Sequence, residues 1–172
     1  MASEERGEFA FIDWLRRRTP AAGRVAVGPG DDAALVNWPG GAGCIATTDM
    51  LLEGSCFRLA EAGPRRVGRK AMAVNLSDIA AMAGRPVAAL VSVGLPRRGG
   101  RDLAEELYHG MREVGDAFDT PIVGGDTNSW DGPLVVSVTV LAEATERGVV
   151  RRNGARPGDW LMATGSFGGS IL

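Results

Sequence analysis

Cys44-Ile45-Ala46-Thr47-Thr48-Asp49 begins as an apolar run and ends in two hydroxyls and a carboxylate. The apolar part fits a strand buried on one or both faces. The Thr-Thr-Asp end sets three hard oxygen groups where that strand leaves the core. Three further segments place Asp beside Gly or small polar residues: Gly30-Asp31-Asp32, Asn75-Leu76-Ser77-Asp78 and Gly124-Gly125-Asp126-Thr127. Each has a plain explanation taken singly. Asp31-Asp32 suits a turn, Thr47-Thr48-Asp49 suits side-chain capping of the next segment, Ser77-Asp78 suits a helix N-cap, and Gly124-Gly125 suits a turn. Asn75, Ser77 and Asp78, however, interrupt an otherwise apolar stretch from Ala71 to Met82. A carboxylate buried there without a partner is costly, and a cation or phosphate-linked network relieves that cost. The four segments together predict one shared Mg²⁺–nucleotide site, since Mg²⁺ takes oxygen ligands from a few carboxylates, waters and phosphates.

The chain outside these segments sets the frame. At 172 residues it has the length of one domain with, at most, part of a second. Hydrophobic residues make up 45% and charged residues 23%, ordinary values for a globular protein. The net charge of −2 gives no general attraction to nucleic acid or an anionic membrane. Cys44 and Cys56 build neither a disulfide framework nor a zinc pattern, and no apolar stretch reaches membrane-spanning length. A cytoplasmic setting, with neither nucleic acid nor membrane as partner, is the expectation.

Periodicity predicts helices over residues 8–18, 64–82 and 102–118, and strands over 33–38, 43–49, 86–96, 121–123, 134–142 and 160–164. From residue 43 the order β-α-β-α-β-β predicts an α+β fold: a mixed sheet with helices on one face and the other face open to pairing. Both faces of the 134–142 strand are largely apolar, which independently predicts a covered outer face. Gly28-Pro29-Gly30-Asp31-Asp32-Ala33 imitates a dinucleotide fingerprint, but a strand rather than a helix follows it. Residues 63–70 approach a phosphate-binding loop without its Lys-Ser/Thr pair. His109, the only histidine, falls within a predicted helix as a surface or satisfied residue, which weakens a histidine acid–base reading. Phosphoryl transfer needs positioning and charge neutralisation more than a nucleophilic side chain, so no catalytic side chain is assigned.

Gly30-Asp31-Asp32-Ala33-Ala34, Thr47-Thr48-Asp49-Met50-Leu51, residues 73–82, Gly124-Gly125-Asp126-Thr127 and Arg152-Asn153-Gly154-Ala155-Arg156-Pro157-Gly158-Asp159 resemble, in order and spacing, thiamine-monophosphate kinase. That family sits in a superfamily with aminoimidazole ribonucleotide synthetase and selenophosphate synthetase. The resemblance implies phosphorylation of thiamine monophosphate to the diphosphate with ATP and Mg²⁺. It implies Asp32, Thr47, Thr48, Asp49, Asp78 and Asp126 as metal ligands, Gly125 and Asp126 as nucleotide contacts, and Arg152 as a phosphate contact. Tyr108 falls near a position that contacts ATP. Cys56 stands where the family has a substrate-associated histidine, and a thiol does not reproduce an imidazole's donor and charge. Another ATP-using synthetase of the superfamily, or a non-catalytic nucleotide-binding dimerisation module, is the alternative. The resemblance further implies a homodimer pairing its sheets. On this reading residues 1–150 are an ATP/Mg²⁺-binding N-terminal domain, and residues 151–172 are a linker and the start of a truncated C-terminal domain that would complete the activity.

Overall fold

The computed structural model describes residues 17, 24–27, 31–37, 43–97, 100–163 and 165–166. The helix expected over 8–18 lies outside the described residues except for Arg17. The elements are β1 (Val25–Val27), β2 (Ala34–Asn37), β3 (Gly43–Leu52), α1 (Leu59–Ala62), α2 (Pro64–Ala81), β4 (Gly84–Pro96), α3 (Gly100–Ala117), β5 (Ile122–Trp130) and β6 (Val135–Ala144), followed by a 3-10 turn at Arg152–Gly154. The strands form one six-stranded sheet in the order β1-β2-β3-β6-β4-β5. Only β4 and β5 run parallel, joined through α3; every other neighbouring pair is antiparallel. The fold is the expected α+β, with a mixed sheet and helices against it.

Alternation along the strands decides which face holds the core. Ile45, Leu51, Ala89, Val91, Val136, Val138 and Val140 are buried and occupy matching positions across the pairs of β3, β6 and β4. Helix α2 lies against β3, β6 and β4 on this side and presents Val67, Ala71, Met72, Leu76 and Ile79 to them. Their burial is the main source of stability, at roughly 1.5–3 kcal/mol for each large side chain removed from water. On the opposite face Met50, Leu52 and Leu90 remain exposed.

Helices α2 and α3 approach until their backbones touch. A Cβ on Gly68 would stand 2.0 Å from the carbonyl oxygen of Leu107, and one on Gly110 would stand 1.9 Å from that of Arg65. Two glycines inside helices cost intrinsic helix propensity; here they permit close packing. Arg65 and Arg69 both bridge to Glu113 above the crossing.

Two expectations need correcting. The strand placed at 121–123 runs on to Trp130, because its parallel ladder with β4 continues from Ala89↔Ile122 to Pro96↔Trp130. It is the edge of the sheet and largely exposed, not buried, so Asp126 lies within a strand and not in a turn after one. Residues 160–163 form no strand: no described strand pairs with them, and Trp160, Leu161 and Met162 are almost fully exposed.

Candidate active site

Past Ala46, which pairs with Ala34, β3 has no described strand on its β2 side, while its ladder with β6 continues to Leu52↔Val135. This half-open stretch carries Thr47 and Asp49, whose alternation turns them toward the helices. Thr47 Oγ1 lies 3.0 Å from Asp78 Oδ2 and 3.2 Å from the carbonyl oxygen of Asp32. A hydroxyl has one proton, so it donates to one of these at a time. The backbone N–H of Asp49 donates to Asn75 Oδ1 at 3.0 Å. Residues from β3, α2 and the turn before β2 therefore meet at one place.

Arg152 closes that place from the far end of the chain. Its Nη2 and Nε donate to Asp32 Oδ1 at 2.5 and 3.2 Å, and its backbone N–H faces Asp31 Oδ1 at 3.4 Å. The segment is held nearby by the Val150 N–H, which donates to the carbonyl oxygen of Met82 at 3.1 Å. Burial pushes the Asp78 carboxyl above its usual range, and the charges of Asp49 and Asp32 push it the same way; the Thr47 hydrogen bond and Arg152 oppose them. Burial is therefore the main reason this carboxyl resists ionisation, with two neighbouring carboxylates adding to it.

The fourth acidic segment stands apart. Asp49, Val138, Val91 and Gly125 form one row across the sheet. Gly125 is therefore three strand-to-strand steps from Asp49, about 14 Å. The Asp126 carboxylate accepts from Asn128 Nδ2 at 2.8 Å and has no bond to the Asp32–Asp78 group. Gly125 and Asp126 line a separate cavity of about 290 Å³ with Val91, Leu107, Tyr108 and Met111, between β4, β5 and α3. Gly125 serves the sheet as well, since a Cβ there would stand 1.7 Å from the Val91 carbonyl oxygen.

Thr48 points away from Thr47, as neighbours in a strand must. Its hydroxyl donates to the Val138 carbonyl oxygen at 3.1 Å and accepts from Thr139 at 3.0 Å. Cys56 lies in the turn after β3, and its carbonyl oxygen accepts from Lys70 Nζ at 2.7 Å. Of the residues expected at the site, the structure joins Asp32, Thr47, Asp49, Asp78 and Arg152. It groups Gly125, Asp126 and Tyr108 elsewhere and leaves Thr48 and Cys56 outside both groups. Among the described residues no three His, Cys, Asp or Glu side chains converge closely enough to hold a metal ion as they stand. Sequence reasoning gave Asn75 no role, although its position as a polar break in an apolar helix face was the available signal.

This fold and site define a class: an α+β domain gathering hard oxygen donors and one guanidinium where a half-open strand meets a helix. Residues 30–144 match the family model for AIR synthase related protein, N-terminal domain, and the chain belongs to that family. The chain is 42% identical over 172 residues to thiamine-monophosphate kinase of Rhodopirellula baltica, covering 96% of this chain and 54% of that protein. It is 42% identical over 170 residues to the same enzyme of Mycobacterium tuberculosis, covering 97% and 50%. Among solved structures, AaThiL complexed with AMPPCP and TMP aligns with a TM-score of 0.75 at 32% identity, over 91% of this chain and 47% of that one. Hydrogenase maturation protein HypE in complex with ATP aligns at 0.58 and 20% identity, over 84% of this chain and 39% of that one, a likeness of fold alone. The chain spans about half the length of the curated relatives it matches.

Proposed function

We propose that this chain is the ATP- and Mg²⁺-binding part of an enzyme that phosphorylates thiamine monophosphate to thiamine diphosphate. The observation that carries the reading is the alignment with AaThiL complexed with AMPPCP, an ATP analogue, and TMP, together with the names of the relatives. The residues fit a divalent cation by their chemistry: Asp32, Thr47, Asp49 and Asp78 offer hard oxygen donors, and Asp78 is a carboxylate raised by burial first, with Asp49 and Asp32 pushing it the same way. Asp32, Asp49 and Asp78, with Thr47, would hold Mg²⁺ there. The family pattern would add Thr48 and Asp126, but Thr48 bonds Val138 and Thr139 on the opposite sheet face and Asp126 lines the separate cavity, so neither belongs to this cation's ligand set.

Bound Mg²⁺ supplies charge neutralisation for the transferring phosphoryl group. The rest of the work belongs to the chain. Arg152 presents a planar fork suited to phosphate oxygens and is held at the rim by the Val150–Met82 bond. Gly125, Asp126 and Tyr108 line the cavity that suits the nucleoside end of ATP. On the family pattern Cys56, in the turn after β3, would contact the acceptor in place of an imidazole. Transfer passes directly from ATP to the acceptor phosphate, with no covalent enzyme intermediate.

A homodimer forms through the sheet face carrying Met50, Leu52 and Leu90, whose exposure in the single chain favours burial against a copy. Residues 1–150 form the nucleotide-binding domain and residues 151–172 lead toward a second one. The cytoplasm is the setting: the described cysteines are both unpaired. No helix among the described residues is long and apolar enough to cross a membrane.

Calorimetry of the chain with AMPPCP, with and without Mg²⁺, tests the binding half; Mg²⁺-dependent association is expected, and its absence sinks the reading. The acceptor is tested in a protein of the relatives' length containing this chain, incubated with ATP and thiamine monophosphate. Formation of the diphosphate is expected, and its absence alongside intact nucleotide binding overturns the choice of substrate.

A further inference from the structure

We propose that Asn75 is a positioning residue for the acidic site, setting the Asp49 carboxylate relative to Asp78; the inference rests on the cation-binding role given to those two residues above. Asn75 is fully buried, at 0% exposure. Both ends of its amide are engaged: Oδ1 accepts the Asp49 backbone N–H at 3.0 Å, and Nδ2 donates to the Ala71 carbonyl oxygen at 3.0 Å. The first of these bonds crosses from helix to strand where β3 has no described β2 neighbour. Asn75 thus does for the Asp49 N–H what a neighbouring strand would otherwise do.

The bond fixes more than one amide. Asn75 and Asp78 are three residues apart on α2 and share a face. Thr47 and Asp49 are two apart on β3 and share a face. The Asn75–Asp49 bond and the Thr47–Asp78 bond therefore form two rungs between one helix turn and one strand segment. Two rungs fix slide and rotation together, whereas the Thr47 rung alone leaves the strand free to shift along the helix. A carboxylate pair that shares a cation tolerates little such shift. A fully buried amide engaged at both ends is accounted for by that geometric task.

The test compares Asn75→Leu, which fills the space without the amide, with Thr120→Val. Thr120 is equally buried at 1% exposure, and its hydroxyl donates to the Phe118 carbonyl oxygen at the turn between α3 and β5, outside the acidic site. Mn²⁺ alone is titrated into each folded protein by calorimetry, well below its melting temperature, and melting temperatures are recorded without metal. Asn75→Leu is expected to weaken Mn²⁺ binding about tenfold or more, while Thr120→Val melts earlier with unchanged Mn²⁺ affinity. Equal Mn²⁺ affinity in Asn75→Leu and the parent overturns the proposal, as does a loss of affinity in both variants that follows their stability.

Amide hydrogen exchange of the parent chain needs no variant and stands if Asn75→Leu does not fold. The Asp49 amide is expected to be protected; exchange at the rate of an exposed amide overturns the proposal. A parent chain that binds no Mn²⁺ overturns the function above and this inference with it. A parent that binds Mn²⁺ with a freely exchanging Asp49 amide overturns the inference alone.

Discussion

Arg152 Nη2 sits 2.5 Å from Asp32 Oδ1, joining residues 120 positions apart in the chain. The guanidinium occupies a carboxylate that the proposed function assigns to a cation, so it acts as a resident counter-charge. Replacing Arg152 with Ala therefore has effects of opposite sign on two ligands. Affinity for Mn²⁺ alone should rise a few-fold, in keeping with about 1 kcal/mol at most for an exposed ion pair. Affinity for AMPPCP with Mg²⁺ should fall about tenfold, through the loss of a charge-assisted bond to phosphate. Calorimetry reads both, and a variant that weakens both alike contradicts the competition.

Asp78 gives the pH dependence. Its folded-state carboxyl is raised above the usual 3.8, by burial first and then by Asp49 and Asp32. A carboxyl raised on folding adds stability below its unfolded value, and that stability is lost as pH rises through the folded value. Metal-free protein should therefore melt earlier as pH climbs from about 4 toward neutrality through the Asp78 titration. Asp78→Asn should flatten this part of the profile without melting below the parent at neutral pH, and should lose stabilisation by Mg²⁺. Melting curves across this range, with and without Mg²⁺, decide it; an unfolded variant would instead assign Asp78 to holding the helix.

The crossing of α2 and α3 predicts a steep response to a single methyl. Gly110→Ala would place a carbon 1.9 Å from the Arg65 carbonyl oxygen, which is backbone and unable to swing aside. Destabilisation of about 1–3 kcal/mol or more is expected despite alanine's better helix propensity. Chemical denaturation measures it, and a neutral or stabilising result would mean the helices do not touch as described.

For the outer face of the sheet, Leu90→Arg places a charge among Leu90, Met50 and Leu52, all exposed in the single chain. Light scattering should find the variant monomeric where the parent is dimeric, with unchanged circular dichroism. A parent that is itself monomeric at micromolar concentration removes the proposed pairing.

Most of the fold was legible because its signals were local. The 3.6-residue pattern of α3 and the β-branched run of β6 each specify an element without outside help. What misled was context. Gly124-Gly125 reads as a turn, yet the adjoining strand β4 keeps the chain extended, and at Gly125 the missing Cβ allows that approach. Trp160-Leu161-Met162 has strand propensity, yet propensity without a pairing partner makes no strand. At the site, Asp32, Asp49 and Asp78 were legible as a group because acidic residues at element ends need a shared reason. The position of Asp126 about three strands away was not, because strand order is fixed by long-range pairing that no local segment encodes. Asn75 was visible as an anomaly, but its partner, a main-chain N–H, has no sequence signature.

The backbone contacts at Gly68 and Gly110 have a mechanical consequence. Helices that meet main chain to main chain cannot roll on one another without a clash, so α2 and α3 behave as one stiff plate carrying both Asp78 and Tyr108. The segment bearing Arg152 is joined to the rest by hydrogen bonds through Val150, Arg151 and Asp32 and not by helix packing, so any adjustment around a ligand would be easier there than between Asp78 and Tyr108.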